Sequence, residues 1–128
     1  MKREELSTAA RSLYERLGAA AGISAIVDDV VAAHLANPLV APRYRHVKDM
    51  EQLKRVSREF FCAGAGGPET YTGRDMRTAH KGMNVSEQEF LAVVDDVMGV
   101  LGRHKIDETT QKDVLSILYG FKGEIVRG

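Results

Sequence analysis

The sequence has little of several features that identify common classes of protein. It contains one cysteine, Cys62, among 128 residues, which excludes an internal disulfide and a CxxC metal site. Its 18 Lys and Arg residues balance 18 Asp and Glu residues, and the basic ones are scattered, so no surface for nucleic acid or an anionic membrane is predicted. No window approaches the roughly 18 apolar residues of a membrane span, and the charged start MKREELSTAA is unlike a signal peptide. We therefore expect a soluble, cytoplasmic protein with no nucleic-acid or membrane partner.

Motifs for metal binding and catalysis are also scarce. No two histidines are three to five residues apart and no HExxH occurs, which argues against a zinc site; the four are His34, His46, His80 and His104. The GAGGP stretch lacks a preceding strand and a following GK[ST], so nucleotide binding is not predicted. No GxSxG elbow is present. The acidic pairs at 28–29 and 95–96 fall opposite apolar stripes, which is typical of solvated helix faces.

What the sequence does have is helical periodicity along most of its length. Apolar residues at spacings of three and four predict four long helices at roughly 23–35, 50–63, 87–103 and 108–126, after a short one at roughly 13–17. Ser86 and Glu89 form a capping box at the start of the third long helix. Strand signals are weak. We therefore predict one all-α domain whose core is incomplete at 64–74, where helix formation is interrupted and another group must fill the space.

His80 lies on the apolar face of a short segment, MRTAHKGM, together with Met76, Ala79 and Met83. A buried histidine that bonds to a backbone carbonyl explains this placement. A metal ligand inside an apolar pocket explains it as well, and this is the arrangement that haem iron requires. A bound haem also accounts for the incomplete core.

Three stretches together resemble one family, the truncated haemoglobins of group I, over about residues 13–126. They are LYERLGAAAGISAIVDDVV, NPLVAPRYRHVKDMEQLK and, most specifically, EFFCAGAGGPETYTGRDMRTAHKGM. The resemblance implies a two-over-two helical sandwich around one haem b (iron protoporphyrin IX). It implies a domain at 12–128 after an N-terminal extension at 1–11, with His80 as the proximal iron ligand. The glycines would let the chain cross the haem edge.

The resemblance also predicts which other side chains surround the haem. Val31 stands where the family usually has the tyrosine that donates to the iron-bound ligand, and Leu53, Val56 and Ser57 stand where glutamine or histidine assists. Tyr44 takes the place of the aromatic that packs on the ring. Phe61 is expected on the distal side and Val93 in the wall, while propionate partners are expected to be Lys54, Tyr71 and Arg77. The predicted cofactor contacts are completed by Met76.

The implied function is binding of dioxygen, carbon monoxide and nitric oxide by a monomer or weak homo-oligomer. Family membership implies oxygen binding and transport, but Val31 removes a hydrogen-bond donor. We therefore expect poor dioxygen retention and nitric oxide or other redox chemistry served by a reductase. Nitric oxide dioxygenase and peroxidase-like activities both stay open.

Two alternatives stay open at this stage. His46 precedes the distal helix and, folded inward, would be a sixth iron ligand; the chain would then be a bis-histidine protein for electron transfer or sensing. In the competing interpretation His46 points to water or a propionate. The second alternative is a haem-free helical interaction module.

Overall fold

The computed structural model describes residues 11–127, so the predicted extension lies outside the described residues except for Arg11. The helices, numbered in chain order, are α1 Leu13–Arg16, α2 Ala19–Ala36, α3 Met50–Gly64, α4 Met76–His80, α5 Glu87–Arg103, α6 Glu108–Gly120 and α7 Lys122–Ile125, with a 3-10 helix at Ala41–Tyr44. Within residues 11–127 the sole β-type pairing is an isolated bridge between Val85 and Val126. The predicted all-α class is confirmed.

Polar side chains at the helix N-termini explain where most helices begin. Ser86 accepts from the backbone N–H of Glu89 and the Glu89 carboxylate accepts from Ser86, which confirms the predicted capping box. Ser12 and Glu15 form a second one at the start of α1. Aspartates cap α3, α4 and α6 in the same manner. Each side chain satisfies an N–H that has no partner within its helix.

The four long helices pack as two layers of two. Helix α2 contacts both α3 and α5, and α5 contacts α6. The apolar faces meet in a core in which Ile23, Val27, Val100 and Leu101 are at most 1% exposed. This is the predicted two-over-two sandwich, and it stacks the pairs α2/α3 and α5/α6.

The end of the chain differs from the sequence-based prediction of one helix over 108–126. Helix α6 ends at Gly120, and α7 begins after Phe121 and packs on α4. Beyond α7, the N–H of Arg127 donates to the carbonyl of Val85 at 2.9 Å. The bend places the last turn beside the segment that carries His80.

Helix α2 is long and apolar enough to cross a membrane, with a mean hydropathy of 1.5 over 18 residues. By length and composition, this helix contradicts the prediction that no window of the sequence approaches a membrane span. Core helices of soluble proteins pass the same criterion, and the buried face of α2 packs inside the domain. One such helix is weak evidence for a membrane span.

The segment between α3 and α4 is irregular, as predicted. Two of its positions require glycine, each for a different reason. Gly66 has a φ of +89°, which side-chain-bearing residues rarely adopt. At Gly73, a Cβ would lie 2.5 Å from the Tyr71 hydroxyl and 2.6 Å from Val56. The chain therefore crosses close to α3, where any larger residue would collide.

Candidate functional site

A large cavity of about 850 Å³ lies between α2, α3, α4, α5 and the irregular crossing segment, and the 3-10 helix, α6 and α7 also contribute to its lining. Its walls are mainly aliphatic and aromatic side chains. Pockets that enclose organic ligands typically measure about 300–1,000 Å³ and are lined in this way. The sequence predicts a core that is incomplete at 64–74, and this cavity is the space left open there.

His80 lies on the cavity wall that α4 forms, where Met76, Ala79 and Met83 also line it. Its Nδ1 lies 2.8 Å from the carbonyl oxygen of Met76. A carbonyl can only accept, so Nδ1 carries the proton and Nε2 keeps a lone pair. This backbone partner orients the ring and makes Nε2 the ring nitrogen free for a metal.

These features fit a haem. Residues 11–127 contain no cluster of three or more His, Cys, Asp or Glu side chains that could hold a bare ion. They do contain His80, an oriented imidazole on the wall of a large apolar cavity, and haem iron needs a single protein nitrogen because the porphyrin supplies the other four.

The wall formed by α2 and α3 contains the distal residues that the sequence predicts. Val31, Leu53, Val56 and Ser57 all line the cavity, and Val31 is 6% exposed. Gln52 and Phe60 also line it. The position expected for a donor tyrosine is thus an aliphatic part of the wall.

Most of the other predicted contacts also lie on the cavity wall, and these are Tyr44, Phe61, Tyr71, Met76 and Val93. The Tyr71 hydroxyl donates to the carbonyl of Arg74, so this hydroxyl already has a partner within its own loop.

Three predicted residues are not among the lining side chains: His46, Lys54 and Arg77. Lys54 lies on α3 between the lining residues Leu53 and Arg55 and is half-buried. Arg77 lies on α4 and is exposed. His46 is exposed beyond the 3-10 helix, so the interpretation of His46 as a sixth ligand gains no support from its position.

Other cations take the places expected for propionate partners. Lys48, Arg55 and Arg74 line the cavity and are exposed, which places them where the cavity meets solvent. Sequence reasoning missed them because Lys48 and Arg74 lie in the irregular segments just before α3 and α4, whose course no local pattern predicts.

An ion pair links the 3-10 helix to the segment after His80. Arg43 donates from Nε and Nη2 to the Glu89 carboxylate at 2.6 and 2.8 Å, and from Nη1 to the carbonyl of Met83 at 2.8 Å. The Arg43 hydrogen bonds, followed by the backbone N–H of Ser86, lower the pKa of Glu89 to about 2. Both side chains line the cavity, so the pair joins two of its edges.

Sequence reasoning also missed a polar cluster beside the cavity, in which His34 is buried and Asp96, Asn37 and Tyr44 are half-buried. His34 is 5% exposed and its Nδ1 lies 2.8 Å from Oδ2 of Asp96 on α5. Its ring stacks on Tyr44 with centroids 5.9 Å apart. Burial, followed by the charge of Asp96, raises the pKa of Tyr44. The expectation that 95–96 is a solvated pair is thus wrong for Asp96; its partner is 62 positions away, and no local pattern reveals it.

Comparison with known proteins agrees with this geometry. The family model described as "Bacterial-like globin" matches residues 12–126. The chain is 26% identical over 117 residues to the group 1 truncated hemoglobin GlbN of Mycolicibacterium paratuberculosis, covering 91% of this chain and 85% of that protein. It is 29% identical over 115 residues to the group 1 truncated hemoglobin of Tetrahymena thermophila, covering 81% and 94%.

Solved structures share the fold. The Fe(III) form of truncated hemoglobin from Tetrahymena pyriformis superposes with a TM-score of 0.88 at 23% identity, covering 92% of this chain and all of that one. The 2/2 hemoglobin of Synechococcus sp. PCC 7002, described in the cyanomet state with covalently attached heme, gives 0.84 at 24% identity, covering 91% and 98%. The chain belongs to the bacterial-like globin family, and within it to the truncated, two-over-two globins of group 1.

Proposed function

We propose that this haem-binding globin holds haem b through Nε2 of His80 and binds diatomic ligands in a cavity with an apolar distal wall. One observation supports this most strongly. The Met76 carbonyl fixes the proton of His80 on Nδ1, and the ring lines a cavity of about 850 Å³. When bound, the haem would supply an iron that takes a diatomic ligand.

The side chains around the cavity would divide the work of holding the porphyrin. Tyr44, Phe61 and Val93 would pack against its faces and edges, since all three line the cavity. Lys48, Arg55 and Arg74 are placed to attract the propionates, which favour cationic partners. Arg43 is already engaged by Glu89 and would hold the loop rather than the cofactor.

The distal wall favours release of dioxygen. Bound dioxygen carries partial negative charge, and a donor hydrogen bond to it contributes about 1–3 kcal/mol. Val31 supplies none. We therefore propose rapid dioxygen loss, with nitric oxide or other redox chemistry, rather than oxygen storage or transport, as the role. A reductase partner and a cytoplasmic, monomeric or weakly associating protein complete the proposal.

Absorption spectra of the ferric, ferrous and carbonyl forms test haem binding and coordination together. We expect a Soret band on reconstitution with hemin and its loss, or a changed spectrum, in His80→Gly. Free imidazole should restore the parent spectrum in that variant by occupying the vacated position.

The matched control is His104→Gly. His104 is paired with Asp29 at the surface, at 2.7 Å, so its removal should leave the spectrum unchanged. A folded protein that stays colourless with hemin contradicts the proposal, and so does a His80→Gly variant with the parent spectrum. A low-spin ferric spectrum that becomes high-spin in His46→Ala would instead favour the six-coordinate alternative.

A further inference from the structure

Of the polar cluster of His34, Asp96, Asn37 and Tyr44, Tyr44 has a proposed part in holding the porphyrin, whereas buried His34 has none so far. His34 lies on the same face of α2 as Val27, Val30 and Val31, and all four line the cavity. His80 lies on α4, which packs on α7, whereas α2 packs on α3 and α5. The two imidazoles therefore belong to different walls of one cavity.

The orientation of the His34 ring is fixed from one side. Nδ1 lies 2.8 Å from Oδ2 of Asp96. The side-chain amide of Asn37 donates to both oxygens of the same carboxylate, at 3.1 and 3.2 Å. An ionised carboxylate can only accept, so Nδ1 carries the proton. Stacking on Tyr44 limits rotation of the ring.

The other nitrogen of the ring has a different environment. Within residues 11–127 no group is hydrogen-bonded to Nε2 of His34, and Nε2 is not among the side-chain atoms that the protein fully encloses without a partner. The residue is 5% exposed and lines the cavity, which is consistent with Nε2 bordering the cavity. In the neutral ring protonated at Nδ1, Nε2 carries a lone pair, which would face an otherwise largely apolar space.

We propose that Nε2 of His34 is the proton acceptor of this cavity and that it selects small neutral weak acids, written HX, over ligands without a proton. The inference rests on the proposed function, since the anion X⁻ is the species that a ferric iron binds. As HX enters, its H–X bond breaks and the electron pair stays on X. Nε2 takes the proton, and the adjacent Asp96 carboxylate stabilises the imidazolium.

This role also distinguishes the residue from the absent distal tyrosine. A tyrosine donates and stabilises bound dioxygen, whereas a neutral imidazole with its proton on Nδ1 accepts and does not. His34 is therefore no substitute for the missing donor, and rapid dioxygen release and acceptance of a proton from HX are compatible in one cavity. The competing explanation is that the His34–Asp96 pair only connects α2 to α5.

Hydrogen cyanide is the probe that separates these explanations. Its association with the ferric, hemin-loaded protein is followed by the Soret change in a stopped-flow instrument at neutral pH, where most of the probe is undissociated. General-base assistance contributes about 10²–10⁴-fold to rates, so we expect His34→Leu to slow association about 100-fold or more. Asp96→Asn should slow it by a smaller factor, because the ring stays but loses its carboxylate.

Two controls exclude changes in access and in charge. Carbon monoxide has no proton to give, so its association with the ferrous protein should change less than about twofold in His34→Leu if only the proton acceptor matters. His104→Leu removes an exposed histidine–aspartate pair with Asp29 and should leave both rates unchanged. An equal slowing of cyanide and carbon monoxide in His34→Leu would show a narrowed path and overturn the proposal. A cyanide rate within twofold of the parent would overturn it as well.

A measurement on the protein without haem tests the orientation by itself. Nitrogen chemical shifts of the His34 ring should show the form protonated at Nδ1, and Asp96→Asn should redistribute the proton between the two nitrogens. A ring protonated at Nε2 in the parent overturns the proposal even if His34→Leu fails to fold. Absence of a Soret band overturns the proposed function and this inference together, while a normal Soret band with an unchanged cyanide rate overturns this inference alone.

Discussion

The two halves of helix α2 have the same apolar spacing but face different surroundings. In the first half, Ile23 and Ile26 are at most 2% exposed and pack into the solid core. In the second half, Val30, Val31 and His34 are also buried, and they line the cavity, although the two valines contact the core as well. Periodicity therefore predicts which face of a helix is covered, but not whether protein or a ligand covers it. The domain divides in the same way into a packed end, around Ile23 and Ile26, and a cavity end, around Val30, Val31 and His34.

The largest expected effect is stabilisation of the cavity end by its cofactor. A ligand that binds only the folded state at about 1,000 times its Kd adds about 4 kcal/mol. Thermal unfolding with and without hemin measures this, and His80→Gly should lose most of the gain. An equal gain in parent and variant would show that hemin binds elsewhere.

A pair of identical substitutions should show the difference between the two ends directly. Val100 is 0% exposed and does not line the cavity, so Val100→Ala should cost about 2–3 kcal/mol through lost burial and a new void. Val31→Ala enlarges an existing cavity and should cost about half as much in the haem-free protein. Urea unfolding at unchanged slope gives both values; equal costs would contradict the division.

Restoring the family donor should change the chemistry of the cavity end. Val31→Tyr should slow dioxygen dissociation about tenfold or more, which corresponds to about 1.4 kcal/mol or more. Val31→Phe is the matched control, because it adds the ring without the hydroxyl and should not give this slowing. Stopped-flow dissociation rates test both. A parent rate already as slow as that of Val31→Tyr would contradict an apolar distal wall.

The smallest effect concerns the acid sensitivity of the cavity end. The folded-state pKa of Glu89 is about 2, below its ordinary 4.5, so its stabilising contribution is present above pH 4.5 and is lost as the pH falls from 4.5 towards 2. Glu89→Gln should lower stability by about 1 kcal/mol at neutral pH, and the difference from the parent should vanish across that window. Urea midpoints at pH 6 and pH 3 provide the measurement, and a constant difference would argue against the Arg43 pairing.

Sequence reasoning predicted what local chemistry determines. Ser86 and Glu89 are three residues apart, so their capping box is visible as a pattern, and the apolar stripes gave three of the four long helices nearly correctly. The crossing segment and the face of His80 were also predictable, because glycines and a four-residue repeat suffice. The resemblance then added the cofactor, which periodicity alone left open.

What could not be predicted depends on contacts between distant parts of the chain. No proline lies at the break at Phe121. The preceding residue, Gly120, is the last residue of α6 and does not by itself require the helix to end there. The His34–Asp96 pair joins two helices, and the choice of Arg74 and Lys48 over Arg77 and Lys54 depends on the course of the chain before α3 and α4 and on the shape of the opening. Each needs coordinates in three dimensions.

The hydrogen bond between the backbone of Arg127 and that of Val85 has a practical consequence for anyone preparing the protein. The backbone of Arg127 holds Val85, and its guanidinium donates to the Asn84 side chain at 2.9 Å, only a few residues from the imidazole at position 80. A purification tag fused directly after residue 128 would disturb these two hydrogen bonds of Arg127. Spectra from such a fusion should be compared with those of a cleaved or N-terminally tagged version before any difference in colour is attributed to the pigment site.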